Sequence, residues 1–163
     1  MAFLRPAQIV IRDARGTSED LARGEVAYLA MLDAYSKFMP RIDVALLSTK
    51  KYEASWSEGA KERILVAELQ GMIVGVADVM RLDDGWFLIE PMHVRPGYQH
   101  QGIGTLLFEK CEETAALNWA PGLRVYSLRD NENANPLLSQ DEVRASRCGR
   151  VAQGGLEPIH GFS

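Results

Sequence analysis

The sequence predicts an α/β fold built on a mixed sheet, and three features of the chain support this prediction. A three-stranded meander runs from Ile64 to Val94, and a strand–helix–strand unit follows it and ends at Leu128. The chain has 163 residues, which fits a single domain over residues 1–163. The elements are therefore predicted to follow the order β-α-α-β-β-β-α-β-α-β.

The elements before the meander are a strand and two helices. The β-branched run Ile9-Val10-Ile11 predicts the first strand. Thr17 to Asp20 predicts a helix start, because hydroxyl groups that can cap a helix stand beside acidic residues that favour its first turn. A second helix is predicted from Asp43, which can cap it, to an exit at Gly59.

Turn residues divide the meander into its strands, which are predicted at Ile64–Leu69, Met72–Met80 and Trp86–Val94. The pair Gln70-Gly71 predicts a two-residue hairpin, and Asp83-Asp84-Gly85 predicts a second turn. Pro91 lies inside the third strand and has no backbone N–H to donate to a neighbour. It therefore predicts a bulge or a local break in pairing.

The elements after the meander are predicted from hydrophobic patterns that differ in strength. Gly102 to Asn118 predicts an amphipathic helix, and Leu123 to Leu128 predicts a strand that alternates well. Glu142 to Gln153 predicts a weak helix with little apolar stripe. A last short strand is predicted from Leu156 to His160.

Composition and charge exclude several classes of protein. Hydrophobic residues make up 47% of the chain and charged residues 25%, as in ordinary globular domains. A net charge of −4 argues against a nucleic acid partner, and no apolar run reaches the roughly 18 residues of a membrane span. Two cysteines cannot form a disulfide framework, and the N-terminus does not resemble a secretory signal. The expected compartment is a reducing cytoplasm.

The segment from Val94 to Thr105 carries the chemical signal, because it joins a predicted strand to the start of a predicted helix. Gly102 and Gly104 let a ligand approach the backbone closely, at the point where the first N–H groups of a helix have no internal partner. Such a turn suits a phosphate or pyrophosphate. It is not a dinucleotide fingerprint, since Leu107 stands where a third glycine would be required. It is not a P-loop either, because it contains no Gly-Lys-Ser/Thr.

The spacing Val94-x-Pro96-x-x-Gln99-x-x-Gly102-x-Gly104 resembles the acetyl-coenzyme A signature of the GNAT acetyltransferases. The resemblance implies a mixed, mostly antiparallel central sheet flanked by helices. It also implies an N-acetyltransferase that uses acetyl-CoA as co-substrate and acts on a primary amine of a small molecule or peptide. The backbone groups implied to hold the pyrophosphate are those of Gln99, His100, Gln101, Gly102, Ile103, Gly104 and Thr105.

The same resemblance assigns further contacts with the coenzyme. Met92 and Val94 would pair with the pantetheine arm as an added strand, and a bulge near Pro91 would open room for that arm. Asn131 or Asn133 fits the asparagine that the family often places near the coenzyme.

Candidate catalytic groups follow from the family pattern as well. Glu90 occupies the position of a common general base, and the alternative is an exposed strand carboxylate. The family's usual acid, a tyrosine, would fall on Val151, so Tyr126 is a candidate substitute. Alternatively the thiolate leaves without an acid, because a thiol pKa near 8.5 makes it a tolerable leaving group. His93 is another candidate base, against the alternative of a solvent-facing residue, and the scattered histidines exclude a zinc site.

The C-terminal part, from about residue 135, is atypical for this family, and its final strand is predicted to be missing. A second copy of the chain could supply that strand and so form a homodimer. The unusual end also leaves two alternatives open: a CoA-binding module or sensor with weak or no catalysis, and an interaction domain that binds no coenzyme.

Overall fold

Seven strands form one sheet in the computed structural model, which describes residues 9–38, 61–128, 145–146 and 149–156. The strands are β1 (Ile9–Asp13), β2 (Lys61–Leu69), β3 (Met72–Arg81), β4 (Phe87–Val94), β5 (Gly122–Leu128), β6 (Ala145–Ser146) and β7 (Gly149–Leu156). The helices are α1 (Asp20–Phe38), which follows a 3-10 turn at Gly16–Glu19, and α2 (Ile103–Leu117).

The strands lie in the order β1-β2-β3-β4-β5-β7-β6. Neighbours are antiparallel from β1 through β4 and again between β6 and β7. They are parallel between β4 and β5 and between β5 and β7. The sheet is therefore mixed and mostly antiparallel, as predicted, and its middle is the place where direction changes.

The predicted hairpin between the first two strands of the meander is confirmed. Gln70 and Gly71 both have positive φ angles, 50° and 82°, and the flanking residues Leu69 and Met72 pair directly. Left-handed conformation at both central residues matches the twist of the two strands, which is why such turns favour glycine. The turn at Gly85 is confirmed too, since Gly85 N donates to Leu82 O at 2.9 Å.

The predicted helix from Glu142 to Gln153 is wrong in the part that the structure describes. Residues 145–146 and 149–156 form β6 and β7, and β7 pairs with β5 from Gly122–Arg150 to Leu128–Leu156. The apolar stripe of the predicted helix is weak, and pairing with β5 satisfies the backbone of this segment as a strand instead. The seventh strand that the sequence analysis expected to be missing is present.

Helices cover opposite faces of the sheet. On one face Val26 and Ala27 of α1 pack against Val66, Ile73 and Val76. On the other face α2 contributes Ile103, Leu107, Cys111 and Ala115, which pack against Leu65, Ala67, Ala77 and Val79. Successive residues of β2 alternate between these two cores, which is the strand period of two.

Gly75 allows α2 to lie close to the sheet at its first turns. A Cβ atom at this position would stand 3.0 Å from Cδ1 of Leu107, 3.1 Å from Cγ2 of Ile103 and 3.2 Å from Cβ of Ala67. Any side chain here would push the start of α2 away from β3. The glycine thus fixes the depth at which the helix N-terminus sits.

Some predictions fall outside the described residues. These are the helix from Asp43 to Gly59, residues Asn131 and Asn133, and the part of the last predicted strand after Leu156. Within the described ranges, neither helix has the length and apolarity that crossing a bilayer requires.

Candidate active site

A bulge interrupts β4 at Glu90 and Pro91. Ala77 pairs with Met92 and Val79 pairs with Ile89, so Asp78 alone lies opposite two residues of β4. Pro91 has no N–H to donate, which favours an extra, unpaired residue at this point. The bulge near Pro91 is therefore confirmed, and the buried Asp78 lies opposite Glu90 and Pro91 together.

The bulge also marks the point where β4 and β5 separate. Their parallel pairing covers three residue pairs, from Phe87–Leu123 to Ile89–Val125. Beyond Val125, β5 continues to Leu128 paired with β7, while β4 continues paired with β3. A gap thus opens in the middle of the sheet between residues 90–94 and residues 126–128.

Backbone groups of β4 point into this gap. Arg95 N donates to Val74 O at 2.8 Å, so Arg95 turns its backbone toward β3. Because neighbouring residues of a strand turn their N–H and C=O groups to opposite edges, Val94 and Met92 turn theirs toward the gap. Nε2 of Gln99 donates to Val94 O at 3.1 Å, and this contact confirms the outward direction of that carbonyl.

The loop from β4 to α2 is shaped by residues with left-handed backbone. Gly97, His100 and Gly102 have φ angles of 87°, 60° and 82°. Tyr98 N donates to Arg95 O at 3.0 Å and Leu106 N donates to Gly102 O at 3.0 Å. Among the described residues, no backbone hydrogen bond is donated by any amide from His100 to Thr105.

These amides converge on the N-terminus of α2, where Gly102 is the cap residue and makes no side-chain cap bond. The helix dipole places partial positive charge at the same point. Unpaired N–H groups and a helix dipole together favour an anion such as a phosphate. The gap and the loop therefore form one continuous surface, with a strand edge at one end and an anion-binding turn at the other.

Glu90 is exposed at the bulge, where the gap begins. Met92 and Val94, further along the same strand, are half-buried against the α2 core. The strand thus presents an acidic group at the mouth of the gap and apolar side chains beneath it.

Two further side chains lie on β4 or just after it. His93 is half-buried rather than solvent-facing, and desolvation lowers its pKa from 6.5 to about 4, so the imidazole is neutral near pH 7. Nη2 of Arg95 pairs with Oε1 of Glu25 at 2.9 Å and so links the loop to α1. Sequence reasoning missed this ion pair, because nothing in the sequence joins residues that lie so far apart along the chain.

The remaining chemistry-bearing residues do not join the gap. Cys111 is fully buried in α2, and burial raises its pKa to about 12. The described ranges contain no group of three or more His, Cys, Asp or Glu that could hold a metal ion. The backbone of Tyr126 borders the gap on β5, whereas its side chain lies outside the described part of the structure.

A sheet split beside a bulge, with unpaired amides at the end of the split strand, offers one continuous surface to an extended anionic ligand. Residues 60–139 match the family model described as the acetyltransferase (GNAT) domain. The chain belongs to the GNAT family of acetyltransferases, which are acyltransferase enzymes.

Solved structures show the same fold. The PaiA N-acetyltransferase from Thermoplasma acidophilum, in complex with coenzyme A, is 18% identical with a TM-score of 0.61, over 76% of this chain and 82% of its own. A GNAT family acetyltransferase from Brucella melitensis, in complex with acetyl-CoA, is 21% identical with a TM-score of 0.56, over 71% and 73%. The ribosomal-protein-S18-alanine N-acetyltransferase from Escherichia coli is 19% identical with a TM-score of 0.58, over 80% and 74%. No curated protein sequence matches the chain.

Proposed function

We propose that the chain is an acetyl-CoA-dependent N-acetyltransferase that transfers the acetyl group directly to a primary amine of a small molecule or peptide. One observation carries this proposal: the open edge of β4 leads without interruption to the unpaired amides from His100 to Thr105. A ligand with an amide-bearing arm and a pyrophosphate would satisfy both. Coenzyme A has this chemistry.

The residues present fit the coenzyme. Amides from Gln99 to Thr105 would hold the pyrophosphate, and the backbone groups of Met92 and Val94 would pair with the pantetheine arm across the gap. Asn131 or Asn133, which follow β5 in the sequence, would add a side-chain contact. Acetyl-CoA supplies an acetyl group activated as a thioester.

Glu90 is the proposed general base. An amine acceptor is protonated near pH 7, so a group must take a proton before the nitrogen can act as a nucleophile. Glu90 is exposed at the mouth of the gap and can do this directly or through water. Tyr126 is proposed as a proton donor near the leaving sulfur, and the alternative is that the thiolate leaves without one.

The partner in this proposal is the amine acceptor. Neither nucleic acid nor a membrane enters the proposal, and the cytoplasm stays a prediction from the sequence. The alternative function is a CoA-binding module or sensor with weak or no catalysis. Val151 favours it, because this residue stands where the family usually has a tyrosine acid.

The first test is coenzyme binding, measured as thermal unfolding with acetyl-CoA and with ATP and NAD as controls. A ligand at one hundred times its Kd adds about 2.7 kcal/mol, which raises Tm by about 5–10 °C for a domain of this size. Gly104→Glu places a negative charge beside the unpaired amides and should abolish the shift. Leu117→Glu adds the same charge at the exposed far end of α2 and should keep it.

Failure of every coenzyme A species to shift Tm would overturn the proposal. Equal shifts with ATP and NAD would reduce the site to a general phosphate site. A shift that Gly104→Glu leaves unchanged would place the coenzyme elsewhere on the molecule.

The second test separates an enzyme from a sensor. With any acceptor found in a screen of primary amines, Glu90→Gln should lower kcat at neutral pH by about 100-fold or more, because a general base contributes that much. Coenzyme binding should be unchanged. Glu109→Gln removes an exposed carboxylate of α2 and serves as the matched control. Turnover by Glu90→Gln at the wild-type rate would exclude Glu90 as the base.

A further inference from the structure

Polar side chains of β4 lie on the face of the sheet that α1 covers. The residues of this strand that pack in or against the α2 core are Ile89, Met92 and Val94. Because neighbouring residues of a strand point to opposite faces, Glu90 and His93 point to the α1 face. Val76 pairs with His93 and belongs to the core beneath α1, in agreement with this direction. An acceptor that presents its amine to Glu90 therefore approaches the sheet from the α1 side.

Arg95 extends the polar part of this face just after the end of β4. Nη2 of its guanidinium lies 2.9 Å from Oε1 of Glu25, which belongs to α1. The Arg95 side chain is only 21% exposed, and its Nε is buried without a hydrogen-bond acceptor among the described residues. A guanidinium offers five N–H donors in a planar fork that matches a carboxylate. The structure thus holds a partly buried fork whose donors are incompletely used.

Glu25 is a partner that a ligand can replace. Its side chain is 48% exposed, and ion pairs that stand in water contribute little to stability. A ligand carboxylate that also excluded water from the fork would form a stronger, charge-assisted contact. His93 lies between Glu90 and Arg95 along the chain, and desolvation lowers its pKa to about 4. It therefore carries no charge near pH 7 that would compete for that carboxylate.

We propose that Arg95 determines acceptor specificity by binding a carboxylate of the acceptor in the place that Glu25 occupies in this structure. This role rests on the proposed function and deepens it, because it selects a short peptide as the acceptor. Arg95 follows Glu90 by five positions, roughly 15 Å along a strand, and both side chains can lean into the space between them. The amine and the carboxylate of the acceptor are then on the order of 10 Å apart, the span of about three extended residues.

The coenzyme is the other anionic ligand near Arg95. The unpaired amides from His100 to Thr105 lead into α2, which covers the opposite face of the sheet. The guanidinium of Arg95 is held on the α1 side by Glu25. We therefore expect Arg95 to contact the acceptor rather than the phosphates of the coenzyme.

The experiment compares two forms of each acceptor, with acetyl-CoA as the donor. Tripeptides of the form Xaa-Ala-Ala are supplied as free acids and as C-terminal carboxamides, so the two forms differ in one charge about three residues from the amine. The kcat/KM of each form is measured for wild type, Arg95→Gln, Arg95→Lys and Glu25→Gln. The Kd for coenzyme A is measured for every variant by calorimetry.

Arg124→Gln is the matched control. Arg124 is 31% exposed and lies 2.7 Å from Asp84, so it too is a partly buried guanidinium paired with a half-exposed carboxylate. It stands on β5 beside Leu88, before the bulge, and so outside the proposed acceptor site. Its loss should leave the relative use of the two peptide forms unchanged.

Wild type should prefer the free acids by about tenfold or more, mainly through KM, as expected for a charge-assisted hydrogen bond. Arg95→Gln should abolish this preference while its kcat/KM for carboxamides and its Kd for coenzyme A stay unchanged. Arg95→Lys should keep part of the preference, because lysine retains the charge without the fork. Glu25→Gln should increase the preference, because it removes the carboxylate that competes for Arg95.

Several results would overturn this role of Arg95 and leave the proposed function standing. They are equal use of the two forms by wild type, a preference that Arg95→Gln keeps or Arg124→Gln also loses, and turnover of other primary amines but of no tripeptide. A weaker Kd for coenzyme A in Arg95→Gln, with the preference unchanged, would assign Arg95 to the coenzyme instead. If wild type neither binds coenzyme A nor acetylates any amine, the proposed function itself fails.

Discussion

His93 illustrates how a single residue can tie the site to the stability of the fold. It lies on β4 between Met92 and Val94, and desolvation lowers its pKa from 6.5 to about 4. Between these two values the unfolded chain binds more protons than the native chain. Stability therefore rises with pH across this window, and it is lost as the pH falls toward 4.

Replacement of His93 by glutamine should remove this pH dependence. The free energy of unfolding of the wild type should fall by on the order of 1–3 kcal/mol more than that of His93→Gln between pH 7 and pH 4.5. Urea denaturation at the two pH values measures it. Carboxylates that also titrate in this range are common to both chains and cancel. Parallel losses in the two chains would show that the imidazole is not desolvated in the native state.

At the scale of residues, the sequence predicts the groups that would contact a ligand more readily than the contacts that hold those groups in place. Gly102 and Gly104 could be identified from the sequence because their spacing indicates a turn whose backbone a ligand can approach closely. The contact of Gln99 with Val94 O could not be predicted, since it depends on which edge of β4 faces the gap. That direction is known only once the register of β3 and β4 is known.

Elements are joined at the start of the chain by a network around Arg12. Its guanidinium bonds Glu68 of β2 at 2.6 and 2.8 Å and Glu19 of the 3-10 turn at 2.7 and 3.1 Å. These hydrogen bonds lower the pKa of Glu19 and raise that of Arg12. The Arg12 side chain thus holds the turn that precedes α1 against β1 and β2.

Arg12→Met should destabilise the protein strongly for a residue near the surface. It leaves two partly buried carboxylates close together, at a cost of about 2–3 kcal/mol, which lowers Tm by roughly 4–12 °C. Arg15→Met is the matched control, because Arg15 is 68% exposed and lies 3.9 Å from Glu68. It should lower Tm by about 2 °C at most. Thermal denaturation compares the two, and equal effects would refute a special role for Arg12.

Among the elements, the sequence predictions succeeded where neighbouring residues alone determine the conformation. The hairpin at Gln70-Gly71 is confirmed because its conformation is set by the two residues themselves. The helix from Glu142 to Gln153 is wrong because its pattern was weak and a distant partner decided the outcome. β7 pairs with β5, and no local feature of the sequence reports that pairing.

On the scale of the whole molecule, packing of the two helices against the sheet holds the residues around the gap in place. Close packing of α2 at Gly75 fixes the helix N-terminus against β3, and the ion pair of Arg95 with Glu25 links the loop to α1 on the other face. The family's mixed sheet was predictable from the order of the elements. Pro91 predicted the bulge in β4, and the resemblance to the family implied the separation of β4 and β5 beside it.

The split leaves a strand edge unpaired in the middle of the sheet, and such an edge is a template for strand addition by another chain. Glu90 and Pro91 stand at its start, and a charge and a missing N–H are two devices that block such pairing. The double variant Glu90→Val, Pro91→Val should therefore aggregate faster than wild type without coenzyme, as light scattering would record. Coenzyme A should slow this aggregation by covering the edge, so that ligand supply would protect the protein's solubility.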